Sequence, residues 1–461
     1  MPYTRRMLQQ KSVDDRVAHG DPDYSVDRVP PQARMSRLSL HMAYWAVISA
    51  LFSVVFSSAL ANAYGAVNTF VGTAAASVLL GIVASVVARF AMRTGMSVDV
   101  FSRTVFGKSG GLLATILVFG CLGLFAVIES AIIAEAIRGY FKKLLPWHAY
   151  LIVVICSVPI AFGRISAYLD KFNGLLLPVF IAGMAYIVLS AIWQNGYSNA
   201  WLSYGPDGGA LDGRCINVFF LWALGGAQLL AAQDYARFGR PRDEAYHRHI
   251  TFGVPLFFIT YSVNGALGIF ITATVASSLG ALDSDAAAVA AIVALTGLAG
   301  VIFVIASQMR INTLNYQLAT VNLQAFLKHI GIHITKVASA LFVGGLVFLI
   351  MLGNVLDVLV ESLGYLGIFV GAWCAIAIVH MTLVGERGVI AAYEGLESGS
   401  EGSFWHSSTL TWILSSGLGV AVMEFSEPAM ALYATPTAIA SAALLHTAQL
   451  KLTAKTRKES S

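Results

Sequence analysis

The sequence is dominated by apolar segments of about 20 residues that follow one another from residue 38 to residue 450. A helix of that length crosses the roughly 30 Å hydrocarbon core of a bilayer. In lipid only helices and closed barrels satisfy their own backbone polar groups. Charged residues make up 12% of the chain, against about 25% in soluble domains. The chain is therefore predicted to be an all-α polytopic membrane protein.

The apolar segments are counted as about twelve transmembrane helices. The apolar run from 286 to 326 is too long for one crossing and is split at Thr296–Gly300. The first 36 residues are polar and are expected to have little order. The predicted parts are an N-terminal tail (1–36), helices one to five (37–193), helices six to ten (214–383), a polar loop (384–407), helices eleven and twelve (408–450) and a C-terminal tail (451–461).

Lysine and arginine in the loops predict the orientation. If the N-terminus is cytoplasmic, almost all of these residues lie on the cytoplasmic side and only Lys142, Lys143 and Arg214 lie outside. An even number of helices places both termini on the cytoplasmic side of the cell membrane. The net charge of +4 is concentrated in tails and loops, so it reflects orientation and does not indicate binding to nucleic acid.

The segment from Ile305 to Gln324 is the most polar of the apolar segments. A charge such as Arg310 at mid-membrane costs roughly 2.5 to 3.5 kcal/mol on insertion scales, so this helix is expected to face protein or a water-filled path. At about 100° per residue the amide side chains share one face, and Arg310 points roughly the opposite way. Carboxamides donate and accept hydrogen bonds together, which suits a nucleobase edge or a ureide. The amides on this face are Gln308, Asn312, Asn315 and Asn322.

Two apolar segments contain residues that let a helix unwind. The first carries Ser49, Ser53 and Ser57, and the sixth carries Leu224–Gln228, which includes Gly225. Unwound backbone in a transporter marks the binding site, and Gln228 is then a candidate substrate ligand. Small residues also serve close helix packing, so both interpretations stay open for each segment alone. Their places, five helices apart, are those of counterparts in two inverted five-helix repeats.

The connector after the second segment and the end of the sixth carry the most specific motifs. The connector reads Arg-Thr-Gly-Met-Ser from Arg93 and Phe-Gly-Lys-Ser-Gly from Phe106, and the second motif is Asp-Tyr-Ala-Arg-Phe-Gly from Asp234. Both resemble the nucleobase:cation symporter-1 family, which comprises permeases for purines, cytosine, allantoin and hydantoins. The similarity extends from about Arg34 to the tenth helix and more weakly to the end.

The resemblance implies a LeuT-type fold, with ten core helices in two inverted five-helix repeats and two peripheral helices. It implies secondary active transport of a nucleobase, ureide or similar nitrogenous heterocycle by alternating access. The first, third, sixth and eighth helices are then expected to form the substrate site, with protons or sodium as coupling ion and no other cofactor. Asn312 and Asn315 match the substrate contacts of the eighth helix.

The third helix departs from the family pattern. Members commonly show Gly-Trp-Phe-Gly, whose tryptophan stacks on the substrate, whereas this chain has Gly123-Leu-Phe-Ala. Phe125, or Trp222 beside the sixth-helix break, is expected to supply the aromatic face instead, although packing is the alternative role. Glu129 lies four residues after Phe125 and shares its helix face.

Arg310 lies where sodium-coupled relatives offer hydroxyl groups to the ion. A guanidinium is always protonated and repels sodium. The hypothesis is that Arg310 stands in for the cation near Ser53, with Glu129 as its counter-charge or as a proton carrier. A purely structural Glu129–Arg310 pair remains the alternative. Asp234 and Arg237 are interpreted as a gate or hinge pair.

The leading prediction is therefore a monomeric carrier of a small molecule in the lipid bilayer. A carrier re-purposed for a different small metabolite is the first alternative, because the missing tryptophan and the added charges change the site. A membrane-embedded sensor or enzyme on a transporter fold is the second. The sequence contains no nucleotide-binding loop, HExxH motif or aspartate-rich pair, so an enzyme is not expected.

Overall fold

A computed structural model describes residues 23–163, 169–206, 208–223, 226–279, 287–353, 359–398 and 406–459. Within these ranges every regular element is a helix, which confirms the predicted all-α class. Among the described residues, seven stretches are long and apolar enough to cross a membrane, and the chain is a multi-pass membrane protein. They are Arg37–Tyr64, Ala66–Thr94, Val98–Tyr140, Asp170–Asn195, Pro241–Val275, Ser362–Leu383 and Ser407–Phe425.

The helices follow the predicted apolar segments, and the count of about twelve is consistent with them. The first five segments form α1 (Arg37–Tyr44), α2 (Phe52–Tyr64), α3 (Ala66–Thr94), α4 (Val98–Tyr140), α5 (Pro146–Ser157) and α6 (Leu169–Asn195). The next five form α7 (Cys215–Ala223), α8 (Ala227–Ala236), α9 (Glu244–Tyr246), α10 (Val254–Phe257), α11 (Asn264–Leu279), α12 (Ala287–Thr296), α13 (Leu298–His329), α14 (Lys336–Met351) and α15 (Leu359–Leu383). The last are α16 (Gly385–Glu397), α17 (Ser407–Phe425), α18 (Pro428–Ala431) and α19 (Ala434–Glu459).

The first transmembrane segment is broken, as its serines predicted. After α1 the chain forms a 3-10 turn over Trp45–Ser49, and Ala50 is extended (φ −64°, ψ 105°) before α2 begins at Phe52. In the sixth segment α7 ends at Ala223 and α8 begins at Ala227, while Leu224 and Gly225 lie outside the described residues. The break in the first segment leaves the carbonyls that end its first half and the amides that begin α2 without intrahelical partners.

Helix α13, which carries the polar segment around Arg310, lies at the centre of the bundle. It packs against α4, α6, α14 and the Trp45–Ser49 turn. Its start at Leu298, after Gly297 in a left-handed conformation (φ 57°), confirms the predicted division of the long apolar run. The residues from Arg310 to Ala325 are buried, so the polar side chains meet protein instead of lipid.

Two other regions complete the arrangement. Helices α15, α17 and α19 pack on one another at one side of the bundle, where the resemblance places the peripheral pair. Helix α4 contains a non-helical residue, Gly107 (φ 79°, ψ −174°), so the connector predicted before the third helix is itself partly helical. Helix α6 exposes Leu175, Ile181 and Leu189, and such an apolar outer surface suits contact with lipid.

Residues 23–36 do not have the loose character expected of the tail. The Val29 N–H donates to the Gly95 carbonyl over 2.9 Å, and the Met35 N–H donates to the Phe238 carbonyl over 2.8 Å. Asp23 forms a buried ion pair with Lys336. This part of the tail is therefore held against the ends of α3, α8 and α14, which the polar composition did not indicate.

Candidate functional site

A buried cavity lies at the break in the first transmembrane segment. It is bounded by the broken segment, α4, α7, α8, α13, α15 and the π-helical turn Phe258–Val263. All of its lining residues except Leu221 are buried, so the space is closed to solvent. The lining consists of Val47, Ala50, Phe52, Ser53, Phe56, Phe125, Glu129, Leu221, Trp222, Gln228, Thr260, Tyr261, Ile311, Asn315 and Leu363.

Aromatic rings form a continuous wall along the cavity. Phe52 contacts Phe125 edge-on at 5.6 Å between ring centroids and stacks on Phe56 at 5.1 Å. Phe56 meets Trp222 edge-on at 5.1 Å, and Trp222 lies 4.5 Å from Tyr261. These separations are those of favourable aromatic pairs. The two aromatic residues predicted for the site, Phe125 and Trp222, therefore lie on one surface with three further rings.

Polar atoms without a hydrogen-bond partner face the same cavity. Buried polar groups in native proteins are almost always paired, so a cluster of unpaired ones is typical of a ligand site. Each of the following lining atoms is buried and has no partner: Ser53 Oγ, Trp222 Nε1, Gln228 Oε1, Thr260 Oγ1 and Asn315 Oδ1. A ligand or water is needed to satisfy them.

Glu129 is held at the start of α2. Gln308 accepts a hydrogen bond from the Leu51 N–H over 3.1 Å and donates one from its Nε2 to the Glu129 carboxylate. The Phe52 N–H also donates to Glu129. The carboxylate thus lies against the positive end of a helix, where a negative charge is favoured, and its residue is 1% exposed.

Arg310 is held at the other side of the same break. Its Nη2 donates to the Trp45 carbonyl over 2.8 Å, and its Nε donates to the Asn173 carbonyl over 2.9 Å. The guanidinium therefore binds one carbonyl at the negative end of the first half-helix and one carbonyl of α6. Among the described ion pairs there is none between Arg310 and Glu129. The interpretation of the two residues as a direct structural pair is wrong, because each is stabilised by a different helix end.

The predicted amide face of α13 divides into residues with different partners. Asn315 lines the cavity, and its Nδ2 donates to Asn312 Oδ1 over 3.4 Å. Asn312 is not among the lining residues, and its Nδ2 donates to Ser130 Oγ over 3.2 Å. Gln308 donates a hydrogen bond to the Glu129 carboxylate and is not among the lining residues. Of these amides, Asn315 is the one that lines the cavity.

Asp234 and Arg237 lie near the end of α8, away from the cavity lining. The Asp234 carboxylate accepts from the Val98 N–H over 2.8 Å and from Asn322 Nδ2 over 3.1 Å. Arg237 donates to the Tyr24 and Asp23 carbonyls over 2.6 and 3.0 Å. The two side chains thus tie different parts of the chain to α8, and their role as a gate stays a prediction.

Sequence reasoning did not single out four of the polar and aromatic lining residues. Phe52 and Phe56 are four residues apart, directly after the serine-marked break, so their helix spacing was a usable signal. Thr260 and Tyr261 lie in a π-helical turn, and such turns are frequent at functional sites. No spacing in the sequence distinguishes that turn from regular helix.

The arrangement defines a class of protein, a LeuT-type helical bundle with a closed cavity at a helix break. No protein-family model and no curated protein matches the chain. Among solved structures it is similar to Mhp1, a nucleobase-cation-symport-1 family transporter, in a closed conformation with bromovinylhydantoin bound. The TM-score is 0.72 at 17% identity, over 94% of this chain and 96% of that one.

Two further solved structures have a fold similar to that of this chain. The inward-facing conformation of Mhp1 matches with a TM-score of 0.71 at 16% identity, over 93% of this chain and 94% of that one. MhsT in complex with L-phenylalanine matches with a TM-score of 0.55 at 12% identity, over 90% of this chain and 99% of that one. These likenesses confirm the fold that the sequence resemblance implied.

Proposed function

We propose that the chain is a secondary active transporter that moves a small nitrogenous heterocycle across the cell membrane by alternating access. The observation that carries the proposal is the closed cavity at the helix break, with its aromatic wall and its unpaired polar atoms. Such a cavity can enclose a flat solute and satisfy its polar edge. Discontinuous helices at mid-membrane are the usual substrate site of transporters.

The similar structures support this function. Mhp1 is a transporter with a hydantoin bound in a closed conformation, and it also adopts an inward-facing one. One fold in two conformations is what alternating access requires. A nucleobase, ureide or hydantoin is accordingly the first substrate class to test here.

The coupling mechanism is part of the proposal. Arg310 places a fixed positive charge on the carbonyls of the helix break, where it stands in for a bound sodium ion. Transport is then proton-coupled or independent of sodium, and Ser53 supplies a hydroxyl near the break. The protein is proposed to act as a monomer with both termini in the cytoplasm, as the loop charges favour.

Uptake by purified protein in liposomes tests the function. Radiolabelled uracil, allantoin and hydantoin are supplied under an imposed pH or sodium gradient, and accumulation above the equilibrium level is expected for at least one of them. Asn315→Ala is expected to lower that uptake by roughly tenfold or more, because a bidentate-capable amide in the cavity is lost. Asn195→Ala, at an exposed helix end, is the matched control.

The outcomes separate the alternatives. Binding without accumulation under any gradient contradicts transport and favours a sensor, whereas product formation without accumulation favours an enzyme. Uptake that requires sodium and ignores the pH gradient contradicts the role given to Arg310 while leaving the transport function intact.

A further inference from the structure

We infer that the solute carried in the cavity is an organic cation with a flat, unsaturated nitrogen group, such as an amidinium, a guanidinium or a protonated heterocycle. This inference rests on the proposed function, because it specifies what the same cavity transports. It adds the charge of the solute, which the proposed function leaves open: the transported molecule carries a positive charge on a flat nitrogen group.

The first observation is the charge of the cavity. Among its described lining residues Glu129 is the one charged side chain, and no lysine, arginine or histidine lines the space. The helix N-terminus beside it offsets about half a charge, and Gln308 is neutral. A carboxylate that is 1% exposed therefore lacks a full counter-charge, and a buried carboxyl in this position is either beside a cation or protonated.

The nearest candidate for that counter-charge is already engaged. Arg310 donates to the carbonyls of Trp45 and Asn173, and it is absent from the cavity lining. The Trp45 carbonyl lies at the end of α1, the first half of the broken segment, so the guanidinium stabilises that helix end. A cationic partner for an ionised Glu129 is thus left to the ligand.

The second observation is the kind of polar atom that awaits a partner. Gln228 Oε1 and Asn315 Oδ1 accept hydrogen bonds and cannot donate them, whereas Trp222 Nε1 is the one unpaired atom in the lining that only donates. The hydroxyls of Ser53 and Thr260 can do either. Together with the carboxylate, these atoms select a ligand rich in N–H donors.

The third observation is the aromatic wall. Five rings, those of Phe52, Phe56, Phe125, Trp222 and Tyr261, line the same space. Their faces attract cations as well as flat conjugated groups. A planar cation therefore uses the carboxylate, the acceptor oxygens and the ring faces at once, whereas a neutral base leaves the carboxylate without a counter-charge.

Binding of matched cationic and neutral probes to the purified full-length protein tests the inference. Benzamidine and benzamide have nearly the same shape, and benzamidine is protonated at neutral pH. We expect benzamidine to bind at least roughly tenfold more tightly than benzamide, as a charged hydrogen bond allows. Equal affinity, or tighter binding of benzamide, overturns the inference.

A variant and its control assign the preference to the carboxylate. Glu129→Gln keeps the shape of the side chain and is expected to abolish the preference for benzamidine over benzamide. Glu135→Gln, on the same helix and paired with Arg138 outside the cavity, is expected to keep it. A preference retained in Glu129→Gln overturns the inference, and the wild-type comparison decides the matter if that variant does not fold.

Two further arms separate the sources of the cation and the two levels of the proposal. The titrations are repeated in sodium and in potassium buffer of equal ionic strength. If benzamide binds in sodium buffer with the same affinity as benzamidine, and more weakly in potassium buffer, the cation beside Glu129 is the sodium ion and the inference is overturned. Hydantoin binding without benzamidine binding also overturns it but leaves the transporter function standing. If none of the three probes binds, the inference fails, and the liposome uptake of uracil, allantoin and hydantoin decides the proposed function separately.

Discussion

At the scale of single residues, the site depends on two buried charges that stabilise different ends of one broken helix. Glu129 and Gln308 accept hydrogen bonds from the amides at the start of α2. Arg310 donates a hydrogen bond to the Trp45 carbonyl. Each charge is paired with a half-helix whose dipole has the opposite sign. The break is therefore stabilised by hydrogen bonds from side chains of α4 and α13, which lie outside the broken segment.

Removal of Arg310 is expected to destabilise the protein strongly. Arg310→Ala leaves the buried carbonyls of Trp45 and Asn173 without these donors, at a cost of about 2 to 5 kcal/mol. The apparent melting temperature in detergent measures the loss. Millimolar guanidinium is expected to restore part of it by occupying the space left by the side chain.

The control for this prediction is Arg138→Ala, which removes a half-exposed pair with Glu135. Such pairs contribute roughly 0 to 1 kcal/mol, and guanidinium should have no restoring effect there. A stable Arg310→Ala variant that does not respond to guanidinium would contradict the role of Arg310 at the helix break.

The sequence predicted which polar residues lie inside but not which groups they contact. The period of α13 correctly placed the amides on one face and Arg310 on another. Gln308 accepts from the Leu51 N–H and Arg310 donates to the Trp45 carbonyl, and both partners are more than 250 positions away in the chain. Helix periodicity carries no information on such distant contacts, so the sequence could not decide between the cation role of Arg310 and the alternative of a structural Glu129–Arg310 pair.

At the scale of elements, close packing of α3 against α7 positions one wall of the cavity. A Cβ at Gly72 would lie 2.4 Å from the Cys215 carbonyl oxygen and 2.7 Å from Val218 Cβ. Helix α7 carries Leu221 and Trp222 into the cavity lining. The absence of a side chain at Gly72 is thus what allows the two helices to approach.

Gly72→Val is therefore expected to push α7 away from α3, to lower stability by about 1 to 3 kcal/mol and to weaken ligand binding. Gly120→Ala on α4 is the matched control, because nothing lies within 4 Å of the added Cβ and alanine favours helix. Melting temperature and ligand affinity measure both variants. Equal effects of the two substitutions would show that the contact at Gly72 is unimportant.

The elements were predictable to different degrees. Serines marked the break in the first segment, and Gly297 marked the start of α13, because both residue types permit departures from regular helix. The π-helical turn at Phe258–Val263 has no comparable signal in the sequence. That turn supplies Thr260 and Tyr261 to the cavity, so these two lining residues could not be predicted from the sequence.

At the scale of the whole molecule, residues 23–36 connect the ends of several helices. Arg237 on α8 donates to the carbonyls of Tyr24 and Asp23. Lys336 on α14 pairs with Asp23 and donates to the Gly163 carbonyl. A segment that bridges these elements has to release some of these contacts before that end of the bundle can open.

Asp23→Asn is expected to loosen this segment. Removal of one partner from a buried pair costs about 3 to 5 kcal/mol, and Lys336 is then left with its charge unpaired. Hydrogen exchange should become faster in the peptide that contains Val29 and Met35, because their amides donate to Gly95 and Phe238 in the closed arrangement. Asp23→Asn combined with Lys336→Met should restore part of the protection, since no unpaired charge remains. The control, Asp212→Asn, breaks a partly exposed pair with Arg214 and should leave exchange in this peptide unchanged. Unaltered exchange in Asp23→Asn would show that the pair between Asp23 and Lys336 does not hold residues 23–36 in place.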